Sequence, residues 1–270
     1  MRVGDSITIT NLCAGEGFLY KPGQTVIATE ENLDRLDSLV IGGSAEEERP
    51  ATWTPKTNRD VDGRERVLVF VPMAPRLEPE TVASVLAQEG VDYFDVMFAH
   101  DNPYLWPGSE RMKNIQVNFE KARRVALSEG YRKLWIVESD VIVPKTALKN
   151  LISVDASVVS GLYLMRRGSN APNVFSASGP VLNHRDVQDH WGEVIPMAGG
   201  CTGCLLVDTA VLNSFSFLTG ERRAPDSDFM AYCRSHQVKQ MAHLGVVCGH
   251  KRPDGVILWP DRESGVRKAA

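Results

Sequence analysis

The stretch Leu134-Trp-Ile-Val-Glu-Ser-Asp-Val-Ile-Val-Pro144 joins a short apolar run to two carboxylates and ends on a proline. Leu134 to Val137 is too short for a helix and suits a strand buried on both faces. Glu138 and Asp140 then fall at its C-terminal end, one residue apart in a turn, and Pro144 opens a helix through Ile152. In an open α/β sheet that edge is where ligands bind. Two carboxylates placed there can hold a divalent cation, and the cation can neutralise a diphosphate.

The flanking segments repeat the pattern of apolar run and helical stretch that marks an α/β domain. Val67 to Val71 reads as a buried strand, Pro79 to Gly90 as a helix, Phe94 to Ala99 as a second strand and Glu110 to Gly130 as a long helix. Three strand-helix units in a row make parallel neighbours with helical crossovers the economical arrangement. Further on, Ala156 to Leu164 reads as a strand, Arg166 to Pro196 as an irregular antiparallel excursion or acceptor-side loop, and Cys204 to Val207 as a strand. Asp208 to Phe215 and Asp226 to His236 read as helices, and Lys239 to Val247 as closing strands.

Before residue 66 the texture differs. Ser6 to Leu12 and Thr25 to Ala28 read as short strands around the turn Tyr20-Lys-Pro-Gly23, and Glu30 to Leu39 as a short helix. Residues 46 to 65 are polar and without apolar period, which predicts a linker. The expected organisation is a β-rich module over 1–45, a linker over 46–65, an α/β domain over 66–258 and a tail over 259–270.

With 270 residues, 43% of them hydrophobic and 24% charged, the chain has the make-up of an ordinary folded protein. The net charge of -4 gives no global attraction to nucleic acid or anionic lipid. No apolar run is long enough to span a bilayer, and Met1 to Thr10 lacks the pattern of an export signal, so a cytoplasmic protein without a membrane partner is expected. An odd number of cysteines, five, fits reduced thiols, and Cys201-Thr-Gly-Cys204 in its apolar setting reads as structural rather than as half of a zinc or redox site.

Taken together, four segments resemble glycosyltransferases of the GT-A fold, family-two-like, in order and spacing. They are Glu138-Ser139-Asp140 as the acid-x-acid (DXD) motif with its Pro-led helix, Gly199-Gly-Cys-Thr-Gly-Cys-Leu-Leu-Val207, Pro225-Asp-Ser-Asp-Phe229, and Val247-Cys-Gly-His250. The resemblance implies a Rossmann-like, mainly parallel sheet flanked by helices. It implies a metal-dependent, hexosyltransferase-like enzyme that moves a sugar from a nucleoside-diphosphate sugar, a UDP-sugar by preference, to an acceptor hydroxyl with inversion. The metal, Mn²⁺ or Mg²⁺, would be held by Asp140 and His250 with Glu138 beside them, and His243 is the competing histidine. Asp226 would take the place of the general base, with Asp228 as its rival and helix capping as the alternative role. Pro72, Asp101, Arg111, Asn114, Asn118, Glu138 and Ser139 would surround the donor; an Asx-turn explains Asp101 equally, and a solvated helix face explains Arg111, Asn114 and Asn118. Trp191 can stack on a sugar or simply pack, and Lys251, Arg252, Arg262 and Arg267 can clamp a diphosphate or lie in solvent.

The first 45 residues resemble small modules of tailed-phage structural proteins, on the Tyr-x-Pro-Gly turn at Tyr20. That resemblance implies a phage-encoded chain acting in host cytoplasm, with modified DNA, a virion protein or a glycan as acceptor. Two alternatives stay open on sequence: a nucleotidyltransferase or nucleotide-sugar pyrophosphorylase, although Val71-Pro-Met-Ala-Pro-Arg76 lacks the glycines of its phosphate loop, and a non-catalytic phage structural protein.

Overall fold

The structure is a computed structural model that describes residues 66–72, 77–91, 94–99, 111–166, 170–176, 181–218 and 224–269, together with the backbone of five short strands before residue 48. Of these, β1 (Ser6–Ile9) pairs antiparallel with β4 (Thr25–Ile27) and β5 (Ala45–Glu47), and β2 (Cys13–Gly15) with β3 (Phe18–Tyr20). The β-rich character expected here is present. The pairing Ile7↔Glu47 carries strand β5 across the expected boundary at residue 45 into the stretch read as linker. The expected helix Glu30 to Leu39 lies outside the described residues.

The main body is an eight-stranded sheet in the order β11-β12-β14-β10-β13-β8-β6-β7. The central strands are β6 (Val67–Pro72), β7 (Phe94–Ala99), β8 (Lys133–Val137), β10 (Val158–Leu162), β13 (Cys204–Asp208) and β14 (Gln240–Val247). The outer strands are β11 (Val174–Ser176) and β12 (Val194–Gly200). As the sequence predicts, β6 runs parallel to both β7 and β8. The whole sheet is nevertheless mixed, because β13 inserts antiparallel between β8 and β10, and β12 runs antiparallel to β14 and β11. A short apolar run such as Cys204 to Val207 shows burial but not direction, which is set by the tertiary partner.

Burial on both faces makes the strands continuously apolar. In β6, Leu68 and Phe70 face one core while Val67, Val69 and Val71 face the other, and β8 divides Leu134 and Ile136 from Trp135 and Val137 in the same way. One face is covered by α2 (Arg111–Ser128), α5 (Thr209–Leu212) and α6 (Pro225–Ser235), whose Phe119, Leu212 and Phe229 join the first core. Phe119 meets Phe70 and Phe217 edge-on at 5.4 and 5.2 Å, a geometry favoured by ring quadrupoles. The other face is covered by α1 (Pro79–Leu86) and α3 (Ala147–Ile152) through Val85, Leu148 and Leu151. Helix α3 starts three residues after Pro144 rather than on it.

The segment after residue 248, read in part as a tail, folds back as strands. β15 (Gly249–Lys251), β16 (Ile257–Asp261) and β17 (Gly265–Ala269) form a sheet with β9 (Val141–Ile142) in the order β17-β16-β15-β9, and α4 (His184–Asp189) lies against β17. Trp259 fills the space over Gly249, where a Cβ would stand 2.7 Å from the indole.

One buried charge anchors α2. The Glu120 carboxylate, 1% exposed, takes hydrogen bonds from Arg123, Arg124, Ser216 Oγ and the Phe217 backbone N–H. Burial alone would raise its pKa, but the Arg123 guanidinium, the Phe217 N–H and Arg124 outweigh it and hold the carboxyl below the ordinary 4.5. Glu120→Gln is expected to cost about 2–4 kcal/mol in chemical denaturation at neutral pH, because it removes one partner of a buried pair. The folded pKa is lowered, so the stabilisation is present above the ordinary glutamate value and is lost as pH falls through the folded one. The gap between wild type and variant should therefore close in acid.

Candidate active site

The strands β6, β7, β8, β10 and β14 point the same way, so their C-terminal ends meet along one edge of the sheet. Glu138 follows β8 directly, Leu164 lies two residues past β10, and His250 three past β14. The Val141 N–H bonded to the Glu138 carbonyl at 3.0 Å closes the Glu138-Ser139-Asp140 turn. Strand β9 then leaves the turn and pairs with β15 in the register His250↔Val141, with the Lys251 N–H on the Asp140 carbonyl at 2.8 Å. That register puts the imidazole against the carboxylates. Antiparallel β13 brings its N-terminal turn to the same edge, where Glu138 N–H donates to the Gly203 carbonyl at 3.1 Å and Thr202 Oγ1 donates to Glu138 Oε1 at 3.0 Å.

Glu138, Asp140 and His250 thus offer ligand atoms within 4.8 Å of one another, the one such group of three or more among the described residues. His250 is buried, and its Nδ1 lies 2.7 Å from the Leu164 carbonyl. A carbonyl only accepts, so Nδ1 donates to it; in the neutral imidazole Nε2 then keeps its lone pair for a cation, whereas the protonated ring turns a second N–H on Asp140. Nε2 stands 3.4 Å from Asp140 Oδ1, and both atoms are buried without a hydrogen-bond partner. Uncompensated buried polar atoms cost about 1–3 kcal/mol each. Two of them converging beside a second carboxylate fit a divalent cation, with the Leu164 carbonyl as the outer support that ligating histidines use.

The two carboxylates are not equivalent. Burial and then the Asp140 charge push Glu138 up. Asp140 feels burial as well, but His250 and the guanidinium of Arg166, with Nη1 2.6 Å from Oδ2, hold it low. His243 stays out of the group; it lies half-buried on β14, with Nδ1 accepting from the Gly245 N–H at 3.2 Å.

Beside this cluster is a cavity of about 460 Å³, lined by Phe175, Gly199, Gly200, Cys201, Asp226 and Met230 among others. Asp226 belongs to the first turn of α6, after Pro225, and the N-cap is Ala224 with no side-chain cap, so the capping role is not taken by Asp226. Its Oδ1 accepts instead from the Ser227 N–H at 2.7 Å. Burial raises its pKa, the Ser227 N–H opposes this, and the neighbouring Asp228 adds to it. Asp226, and not Asp228, lines the cavity. The Cys201-x-x-Cys204 pair is divided: Cys204 sits in the core beside Cys248, while Cys201 sits at the cavity with burial and then Asp226 pushing its thiol up to about 12.

The remaining predicted residues scatter. Pro72 ends β6 at the same sheet edge, and Ser139 is buried within the turn. Asn114 and Asn118 are buried in α2, so the exposed-face explanation fails for them, while Asp101 and the Arg111 side chain lie outside the described residues. Trp191 packs on the main core. Three of the four cations named for a diphosphate clamp are engaged in the fold, and Arg262 is exposed: Lys251 bridges Glu78 at 2.9 Å and Glu80 at 2.8 Å, Arg252 pairs with Asp254, and Arg267 lies over Trp259. The basic residue that does reach the cluster, Arg166, carried no sequence signal beyond following strand β10.

No protein-family model matches the chain, and no curated protein matches it in sequence. Among solved structures it is similar to A197 from STIV, at 15% identity over 76% of this chain and 95% of that one, with a TM-score of 0.51. That likeness is one of fold, a sheet with parallel strands at its heart flanked by helices, as the sequence implies. Two looser likenesses are GalNAc-T7, solved with UDP, GalNAc and Mn²⁺, at 9% identity over 83% of this chain and 53% of that one with a TM-score of 0.47, and S. aureus TarS residues 1–349, at 14% over 66% and 57% with 0.39. Among the described residues no helix is long and apolar enough to cross a membrane.

If the orphaned atoms are ligands, Mn²⁺ followed by electron paramagnetic resonance should bind the wild-type chain, and His250→Ala should weaken it by at least about tenfold. Equal Mn²⁺ affinity in the two proteins would remove His250 from the site.

Proposed function

We propose that this chain is a metal-dependent glycosyltransferase that moves a sugar from a nucleoside-diphosphate sugar to an acceptor hydroxyl. The observation that carries the reading is the pair of buried atoms His250 Nε2 and Asp140 Oδ1, 3.4 Å apart and without a hydrogen-bond partner, beside Glu138 at the C-terminal strand edge. Asp140 and His250 hold the cation, with Glu138 as third ligand or as acceptor from the ribose. A bound Mn²⁺ or Mg²⁺ supplies Lewis-acid stabilisation of the departing diphosphate. The donor lies over the ends of β6 and β8, near Pro72 and Ser139, with its anomeric carbon toward the cavity. The acceptor enters that cavity, where Asp226 takes the proton of its hydroxyl as the oxygen attacks. The raised pKa of Asp226 makes it a stronger base than an ordinary carboxylate. Attack from the face opposite the diphosphate inverts the anomeric centre. Glycine backbone, Met230 and Phe175 form apolar walls suited to the carbon face of a sugar or to a planar ring. A role in phage or other virus is supported by the resemblance of the first 45 residues and by the fold likeness to a protein of STIV.

The test is calorimetric titration with uridine, guanosine, cytidine and thymidine diphosphate sugars, with and without Mn²⁺, on wild type and Asp140→Ala. One nucleotide sugar should bind in the presence of metal and be lost in the variant. In a donor-hydrolysis or transfer assay, Asp226→Asn should retain donor affinity and lower kcat by about 10²-fold or more. No nucleotide binding under any condition would sink the proposal.

A further inference from the structure

The Asp140 carboxylate is only half available. Its Oδ1 is without a hydrogen-bond partner beside His250, but its Oδ2 carries the Arg166 guanidinium at 2.6 Å, and the same Nη1 reaches the Lys251 carbonyl at 3.3 Å. The Arg166 side chain is 30% exposed and Asp140 17%, so the pair sits at the mouth of the cluster rather than under it. A guanidinium there has two effects on ligands. It neutralises the one carboxylate held strongly in its charged form, and it repels any cation placed between Asp140 and His250. The same fork of N–H groups is well matched to phosphate oxygens. A metal arriving alone must compete with Arg166 for Asp140. A metal arriving with a diphosphate brings an anion that Arg166 can turn to instead.

Building on the donor site proposed above, we propose that Arg166 is a charge switch: it holds Asp140 while the site is empty and passes to the diphosphate of the donor when donor and cation bind. Cation and nucleotide then bind cooperatively, each removing the obstacle to the other, and free metal is held weakly. Arg166 also becomes the protein cation nearest the leaving group, the place for which the sequence offered Lys251, Arg252, Arg262 and Arg267.

The experiment measures Mn²⁺ affinity by electron paramagnetic resonance, with and without the nucleoside diphosphate that binds wild type most tightly. The proteins are wild type, Arg166→Met and Arg166→Lys, each checked by thermal unfolding. Wild type should bind Mn²⁺ weakly alone and tightly with diphosphate. Arg166→Met should bind Mn²⁺ alone roughly fivefold or more tighter, bind the diphosphate in Mn²⁺ roughly fivefold or more weaker, and lose most of the coupling. Arg166→Lys keeps the charge and should keep the weak binding of metal alone, which separates the electrostatic effect from loss of fold. If Arg166→Met weakens or leaves unchanged the binding of Mn²⁺ alone, Arg166 merely props Asp140 and the switch is wrong. If wild type binds neither Mn²⁺ nor any nucleoside diphosphate, the donor site itself is wrong and the switch falls with it; the wild-type arm alone distinguishes the two failures.

Discussion

The hydrogen bond from His250 Nδ1 to the Leu164 carbonyl, at 2.7 Å, is the constraint on which the site depends. It ties the segment after β14 to the segment after β10, and through the His250↔Val141 register it ties both to the turn after β8. It also decides which nitrogen keeps its lone pair. Without a committed proton on Nδ1, the imidazole could present either nitrogen to Asp140, and the cluster would have no defined donor. The edge ring contact with Tyr163, centroids 5.2 Å apart, holds the imidazole plane as well, and Tyr163 is itself fixed by the Gly203 N–H on its hydroxyl at 2.9 Å. Four segments far apart in the chain are thereby locked to one atom's position.

Such a site is costly. Two orphaned polar atoms and a carboxylate raised by burial oppose folding, by about 1–3 kcal/mol for each unpaired group. The burden is offset by a sheet packed on both faces, where single residues such as Trp135 and Phe119 contribute about 3–5 kcal/mol each against truncation. The same two-sided burial makes the edge rigid enough to hold the atoms apart. The divergent environments of Glu138 and Asp140 are a further product of this packing. Asp140 has Arg166 against it and is held in its charged form, whereas the Glu138 carboxylate takes one hydrogen bond, from the Thr202 hydroxyl, and has no guanidinium beside it among the described residues. A cation would draw the charged form from both, but Asp140 is ready for it in advance.

What could be read from the sequence follows from how local each signal is. Val67 to Val71 and Leu134 to Val137 announce buried strands because burial on both faces leaves no polar alternation to confuse the reading. The acid-x-acid turn and His250 were legible as types in an order, and the structure brings them together. The antiparallel insertion of β13 was not, since its partners β8 and β10 are chosen by packing over tens of residues. Nor was the hairpin Ile257 to Ala269: its Arg262, Arg267 and Lys268 look solvated until Trp259 is seen closing over Gly249. Arg166 stayed hidden for the same reason. Its ion pair with Asp140 spans two strands and a helix in the chain, and no spacing rule reaches that far.

The cavity beside Asp226 carries this limit furthest. Its floor is backbone at Gly199 and Gly200, where a Cβ would stand 3.1 Å from Met230 or from Ser160 Oγ, so shape there comes mainly from close packing, with Asp226 and Arg234 as the charged residues of the lining. A charged acceptor pocket would leave a trace as acidic or basic residues at recognisable spacing. A pocket shaped by glycine, methionine and an aromatic leaves almost none, because each of those residues is equally at home in a core. Asp226 stands out from this background only through its place in the first turn of a Pro-led helix, which is why Asp226 and Asp228 could not be told apart before the fold placed one in the cavity and left the other out of it.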